Sequence, residues 1–174
     1  MKNIFLTSVS AAALFVAAPA LAQNTSEVDQ AGLGNGATVS QTGSNASDID
    51  QNGDNNSASN VQTGAGNSST IDQDAVGASA SVTQSGSNNT STIDQDDDSA
   101  AVPNGAAFDP RATVAQTGSG NGSSISQASD GDARNLTASV EQNNDSNTST
   151  ITQTAAGPEF NGGQPVCSSR AIRR

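Results

Sequence analysis

Ala80-Ser81-Val82-Thr83-Gln84-Ser85-Gly86-Ser87-Asn88-Asn89-Thr90-Ser91-Thr92-Ile93-Asp94-Gln95 is the stretch whose spacing decides the fold. Ala80, Val82 and Gln84 fall at every second position, and so do Asn89, Ser91, Ile93 and Gln95. A period of two is the strand period, so each set shares one face of a strand and the residues between point to the other. Gln84-Ser85-Gly86 separates the two sets. Glycine there takes backbone angles that a Cβ resists, which predicts a strand–turn–strand unit.

The same unit recurs on both sides. Gln returns at 30, 41, 51, 62, 73, 84 and 95, then at 116, 127, 142 and 153, with a β-branched aliphatic two residues before nearly every one. From Val39 onward the aliphatic alternates, so the repeat is about 22 residues long, with an Ile half and a Val half. The Ile half reads Asn45-x-Ser47-x-Ile49-x-Gln51, and then the same around Asn67, Ile71 and Gln73; Asn89, Ile93 and Gln95; Asn121, Ile125 and Gln127; and Asn147, Ile151 and Gln153. The Val half reads Ala37-x-Val39-x-Gln41, and then around Val82 and Gln84, Val114 and Gln116, and Val140 and Gln142. Its second copy, Ala58-Ser59-Asn60-Val61-Gln62, carries Val one place late. That puts Val61 on the opposite face unless a bulge restores the register.

Five units result, at 37–51, 58–73, 80–95, 112–127 and 138–153, with insertions at 96–111 and 128–137. Both insertions separate a Gln from the Ala that opens the next unit. They therefore fall at one corner of a winding, where a solenoid tolerates outward loops. Residues 23–36 hold an orphan half-unit, Val28-Asp29-Gln30, and 157–174 form a basic tail with no repeat.

Composition excludes most other designs. Residues 1–22 have a basic start, an apolar run and the small-residue site Pro19-Ala20-Leu21-Ala22, the pattern of a secretory signal peptide, so export is expected. Beyond them the chain has no Trp, Tyr, His, Lys or Met, and its large apolar residues are few. Without the repeat such a composition reads as disorder. The chain holds 17 acidic and 6 basic residues, the wrong sign for a nucleic-acid partner. No catalytic residues are predicted, since the Ser residues have no base beside them. No cofactor and no metal are predicted either: Asp72, Asp74 and Asp94–Asp98 recur in too few units to make a calcium repeat. The lone Cys167 has no partner for an internal disulfide.

One unit cannot bury its aliphatics alone, whereas stacked units can. The predicted fold is all-β: a β-solenoid of about five rungs with amyloid-like stacking and no globular core. Val39, Ile49, Ile71, Val82, Ile93, Val114, Ile125, Val140 and Ile151 form the apolar strip. Gln over Gln and Asn over Asn form ladders that pair amides otherwise costly to bury.

The spacing Gln-x-Gly-x-x-Asn, followed by alternating residues to a second Gln, resembles the curlin repeat of curli fibre subunits. It is met at Gln62-Thr63-Gly64-Ala65-Gly66-Asn67, at Gln84 to Gln95 and at Gln116 to Gln127. The resemblance implies an extracellular functional-amyloid fibre on a Gram-negative cell surface, reached through the periplasm and an outer-membrane export pore. It also implies a second fibre subunit as partner, and roles in adhesion and biofilm matrix. In that family the repeat Gln and Asn carry assembly. Here those positions are Gln41, Gln51, Gln62, Gln73, Gln84, Gln95, Gln116, Gln127, Gln142 and Gln153, with Asn45, Asn67, Asn89, Asn121 and Asn147. The alternatives are the nucleating minor subunit of such a fibre, whose basic tail Arg170, Arg173 and Arg174 would echo, or a surface solenoid binding ice or carbohydrate. Against ice binding, only Thr150 and Thr152 flank an Ile as a Thr-x-Thr pair.

Overall fold

The computed structural model describes residues 23–97, 109–131, 136–157 and 168–173. Among them every regular element is a β-strand: β1 (Thr25–Ala31), β2 (Gly36–Asn52), β3 (Ser57–Asp74), β4 (Ser79–Ser87), β5 (Thr90–Asp97), β6 (Arg111–Ser119), β7 (Gly122–Gly131), β8 (Thr137–Asn143), β9 (Thr148–Gly157) and β10 (Ser168–Arg173). All pairings are parallel, and they run between rungs rather than within one. The chain is a parallel β-solenoid. β2 and β3 each run through both halves of their rung, with a register shift between Ser44 and Ala46 at the turn. Residues 1–22, where a signal peptide is expected, residues 98–108 and 132–135 of the two insertions, and Cys167 lie outside the described residues.

Two walls face each other across a thin interior. The Ile wall stacks β1, the second half of β2, the second half of β3, β5, β7 and β9. The Val wall stacks the first halves of β2 and β3, then β4, β6, β8 and β10. Between the walls, Ile49, Ile71, Ile93, Ile125 and Ile151 meet Val82, Val114 and Val140, together with Ala58, Ala80, Ala112 and Ala138. Ala37 and Val39, in the first rung, are only partly buried against them. Parallel neighbours lie about 4.8 Å apart, so like residues touch like along each column.

The turns keep the column straight. Gly43, Gly64, Gly86 and Gly118 occupy one register position and share φ between +107° and +119°. A Cβ on Gly43, Gly64 or Gly86 would run into the backbone oxygen of the glycine one rung on, so the position is closed to side chains for two reasons at once. In the last rung Asn144, at φ +71°, stands at the corresponding corner.

Rung two settles the question of Val61. No bulge intervenes: Asn60 pairs with Val39 and Val82, and Val61 with Ser40 and Thr83. Val61 therefore points outward, 37% exposed, while Asn60 is fully buried in the Val column. Shifting this strand by one residue would have displaced Gln62 and Gly64 from their ladders, and the backbone keeps those instead.

Two strands lie outside the five predicted units. β1 pairs with the Ile half of β2, with Val28 beside Ile49 and Gln30 beside Gln51, so the orphan half-unit is half of a rung. Within the tail, expected to carry no repeat, Ser168–Arg173 adds β10 to the Val wall, with Ala171 in register with Val140 and Arg173 with Gln142. The exposed edge of β8 offers a row of backbone groups to any segment that can reach it.

Candidate assembly site: amide ladders and open strand edges

Every repeat Gln is placed on the inward face, as the period of two requires. Each one from Gln30 to Gln127 donates from Nε2 to Oε1 of the Gln one rung further on, while Gln142 and Gln153 receive the last bond of their files. Along the Ile wall the bonds run Gln30 to Gln51 at 2.5 Å, then to Gln73, Gln95, Gln127 and Gln153 at 2.7–2.9 Å. Along the Val wall they run from Gln41 through Gln62, Gln84 and Gln116 to Gln142, also at 2.7–2.9 Å.

A second bond fixes which end of each amide is nitrogen. The same Nε2 also donates to a backbone carbonyl that opens a strand in the facing wall. Gln62 thus reaches the Ala46 carbonyl, Gln73 the Ser57 carbonyl, Gln84 the Ser68 carbonyl and Gln116 the Thr90 carbonyl, at 2.9–3.3 Å. A carbonyl can only accept, so the amide cannot be turned round. All nine ladder bonds consequently point the same way, from the N-terminal to the C-terminal end. Each ladder also ties the two walls together across the core.

The repeat Asn residues form a third file at the turn. Oδ1 of Asn45, Asn67, Asn89 and Asn121 accepts the backbone N–H of Asn67, Asn89, Asn121 and Asn147 respectively, at 2.9–3.1 Å. Their Nδ2 groups, and that of Asn147, hold carbonyls of their own turns, at Thr42, Thr63, Ser85, Thr117 and Asn143. These bonds satisfy backbone groups that a corner would otherwise leave unpaired.

Three ladder members escaped the sequence reading. Asn24 opens the turn file by accepting the N–H of Asn45 at 3.0 Å. The segment Asn24-x-Ser26-x-Val28-x-Gln30 has the form of the Ile half with Val for Ile, and that signal was present. Asn35 and Asn56 do the same at the opposite corner, where Oδ1 of Asn35 accepts from Asn56 and Oδ1 of Asn56 from Ala78, both at 2.9 Å. There the file stops. Leu136 then fills this corner, buried with Ala75 and Ala78 in a second small apolar cluster.

Not every buried polar group is paired. Asn60 donates from Nδ2 to Ser47 Oγ at 2.7 Å, but its Oδ1 has no partner. The hydroxyls of Ser69, Ser91, Ser123 and Ser149, in the column of Ser47, have none either.

Outside, the same register stacks charge. The files Glu27–Asp48–Thr70–Thr92–Ser124–Thr150 and Asp29–Asp50–Asp72–Asp94–Ser126–Thr152 climb the Ile wall, acidic at the N-terminal end and hydroxylic at the C-terminal end. Partial burial raises the carboxyl of Asp72 above the ordinary Asp value, and Asp50, Asp94, Asp74 and Asp96 push it further in the same direction. The acids form a file rather than a cage: among the described residues no group of three or more His, Cys, Asp or Glu converges to hold a metal ion.

Both ends of the column are strand edges. Among the described residues β9 pairs only with β7, β10 only with β8, β1 only with β2, and the Val half of β2 only with β3. Among the described residues no helix is long and apolar enough to cross a membrane. No protein-family model, curated protein or solved structure matches the chain. Fold and site together define a parallel β-solenoid with one-way amide ladders and open ends.

Proposed function

We propose that this chain is a structural subunit of an extracellular fibre, built by adding rungs of one copy to rungs of the next. One observation carries the reading: among the described residues the stack ends on strand edges without a further strand, and those of β1, β9 and the Val half of β2 carry the inward pattern of the interior layers. An edge of that kind templates another strand of matching pattern. A fibre gains from what a lone solenoid lacks. Val28 is 44% exposed and Val39 only partly buried because each has a neighbour on one side alone. Another copy would cover them and carry the Ile-wall ladder on towards the next Gln30.

The resemblance of the repeat to curlins supports the same assignment. With it come a cell-surface location, export through the periplasm and an outer-membrane pore, a second fibre subunit, and service in adhesion and biofilm matrix. The assembly ladder is then the set of repeat Gln and Asn residues already named, with Asn24 and Gln30 added at its start.

Purified chain lacking residues 1–22 is expected to pass through a lag and then form fibres that bind thioflavin and give a β-type circular dichroism spectrum. Seeds should abolish the lag. Replacing Gln73 and Gln95 together by Ala should lengthen the lag at least severalfold, because Gln51 Nε2 and Gln127 Oε1 lose their partners in the dry interior. Chain that stays monomeric at high concentration with seeds present would overturn the reading.

A further inference from the structure

The two ends of the column are stepped, and the steps are complementary. At the N-terminal end β1 extends the Ile wall one strand beyond the Val wall. At the C-terminal end β10 extends the Val wall one strand beyond the Ile wall. Each step is one strand high and sits on the opposite wall from the other. We propose that β10 of one copy and β1 of the next lie side by side as two halves of a single shared rung, joining the chain head to tail with a second copy of itself. This rests on the fibre reading above and specifies its junction.

Register supports the join. Carrying the existing columns across places β1 on β9, with Val28 over Ile151 and Gln30 over Gln153. It places the Val half of β2 on β10, with Val39 at the position of Ala171. Strand directions agree, since β1 and β10 are both parallel to the strands they extend. The seam then continues the columns of both walls in register, with Ala171 at a Val position and Arg173 at a Gln position, and neither wall ends at the same level as its partner. A stepped joint of this kind also excludes a flush dock, which would leave β1 or β10 with no room.

Charge and ladder direction select the same orientation. β1 carries Glu27 and Asp29, while β10 carries Arg170 and Arg173. Joined head to tail, the acids of β1 meet Thr150 and Thr152, the neutral end of the outer files. Joined head to head, Glu27 and Asp29 would face their own copies, and like charges in adjacent register repel. Among the described residues nothing donates to Oε1 of Gln30 or Gln41, so the N-terminal end presents acceptors. Two such ends would oppose acceptor to acceptor, whereas a C-terminal end continues the donor direction.

Fibres grown from full mature chain test the junction by disulfide trapping in a Cys167→Ser background. One pair is Glu27→Cys with Thr150→Cys; the other is Thr38→Cys with Arg170→Cys. Each pair occupies neighbouring parallel positions only across the seam, at about 4.8 Å between Cα atoms, within disulfide range. Oxidation should convert more than half of the chain into trimers and longer multimers on a denaturing gel. Glu27→Cys alone should give none. Fibres whose paired cysteines stay unlinked, or in which Glu27→Cys alone yields dimers, overturn the shared rung and leave the fibre reading standing. Parent chain that never forms fibres removes both. Should the cysteine pairs themselves block growth, Thr152→Glu decides, since it places an acid where Asp29 must land: elongation slows at least tenfold if the rung is shared and is unchanged if it is not.

Discussion

The Ile wall and the Val wall are built by one rule, and each carries one fault, on opposite faces. Inside, the Ile wall is unbroken: Ile49, Ile71, Ile93 and Ile125 are fully buried and Ile151 nearly so. Outside, it stacks Asp29, Asp50, Asp72 and Asp94 in a single file. The Val wall is the reverse. Its outer positions are mostly hydroxyl-bearing, as with Thr38, Ser59, Ser81, Thr113 and Ser139, but its inner column is interrupted by Asn60. In-register stacking magnifies whatever it repeats. Aliphatics and amides reward it, because an apolar group gains a dry neighbour and an amide gains a donor or acceptor. Carboxylates are penalised, since each gains a like charge at the strand spacing.

Moving the inner fault from one wall to the other should have the largest effect. Ile93→Asn puts a polar side chain between Ile71 and Ile125, with both a cavity and unpaired donors and acceptors. A loss of about 3–5 kcal/mol is expected, read as a lowered urea midpoint of the far-ultraviolet dichroism. A loss below 1 kcal/mol would mean that the walls do not differ in what they tolerate. The reverse repair is smaller. Asn60→Val extends the column of Val39 and Val82 and removes the orphan Oδ1, at the expense of the bond to Ser47 Oγ. A gain of about 1 kcal/mol is expected in the same measurement, rising when Ser47→Ala is added. No gain in the double variant would show the Asn60–Ser47 pair to be stabilising.

The outer fault should answer to pH. The Asp72 carboxyl titrates above the ordinary Asp value in the folded stack, so between 3.8 and its raised value the fold holds more proton than the open chain. Stability therefore falls as pH rises through that window and recovers on acidification. Asp72→Asn removes this component and eases repulsion on Asp50 and Asp94. Its urea midpoint should change less between pH 7 and pH 4 than that of the parent; equal slopes would assign the pH response elsewhere.

Interior rungs were legible in the sequence because each layer is held between two copies of itself. Val, Ile and Gln in those layers have little freedom, and their spacing betrays them. Terminal half-rungs have one neighbour within their own chain, and there the pattern is looser: Val28 stands for Ile, Ala171 for Val and Arg173 for Gln. That is why β10 left no trace in the period. Val61 was recognisable as misplaced, but the choice between a bulge and a buried Asn depended on Gln62 and Gly64 keeping their ladders, a contest that local spacing does not decide. The Asn35–Asn56 file was hidden for another reason. It ends after two members, where Ala78 and then Leu136 take over the corner by packing rather than hydrogen bonding.

The long connections leave the winding at one edge, from β5 to β6 and from β7 to β8. Extra chain inserted there adds no layer and disturbs no column, because the strands on either side resume their register as though it were absent. Any filament of such units would carry a seam of freely variable text along one side and a fixed grammar everywhere else.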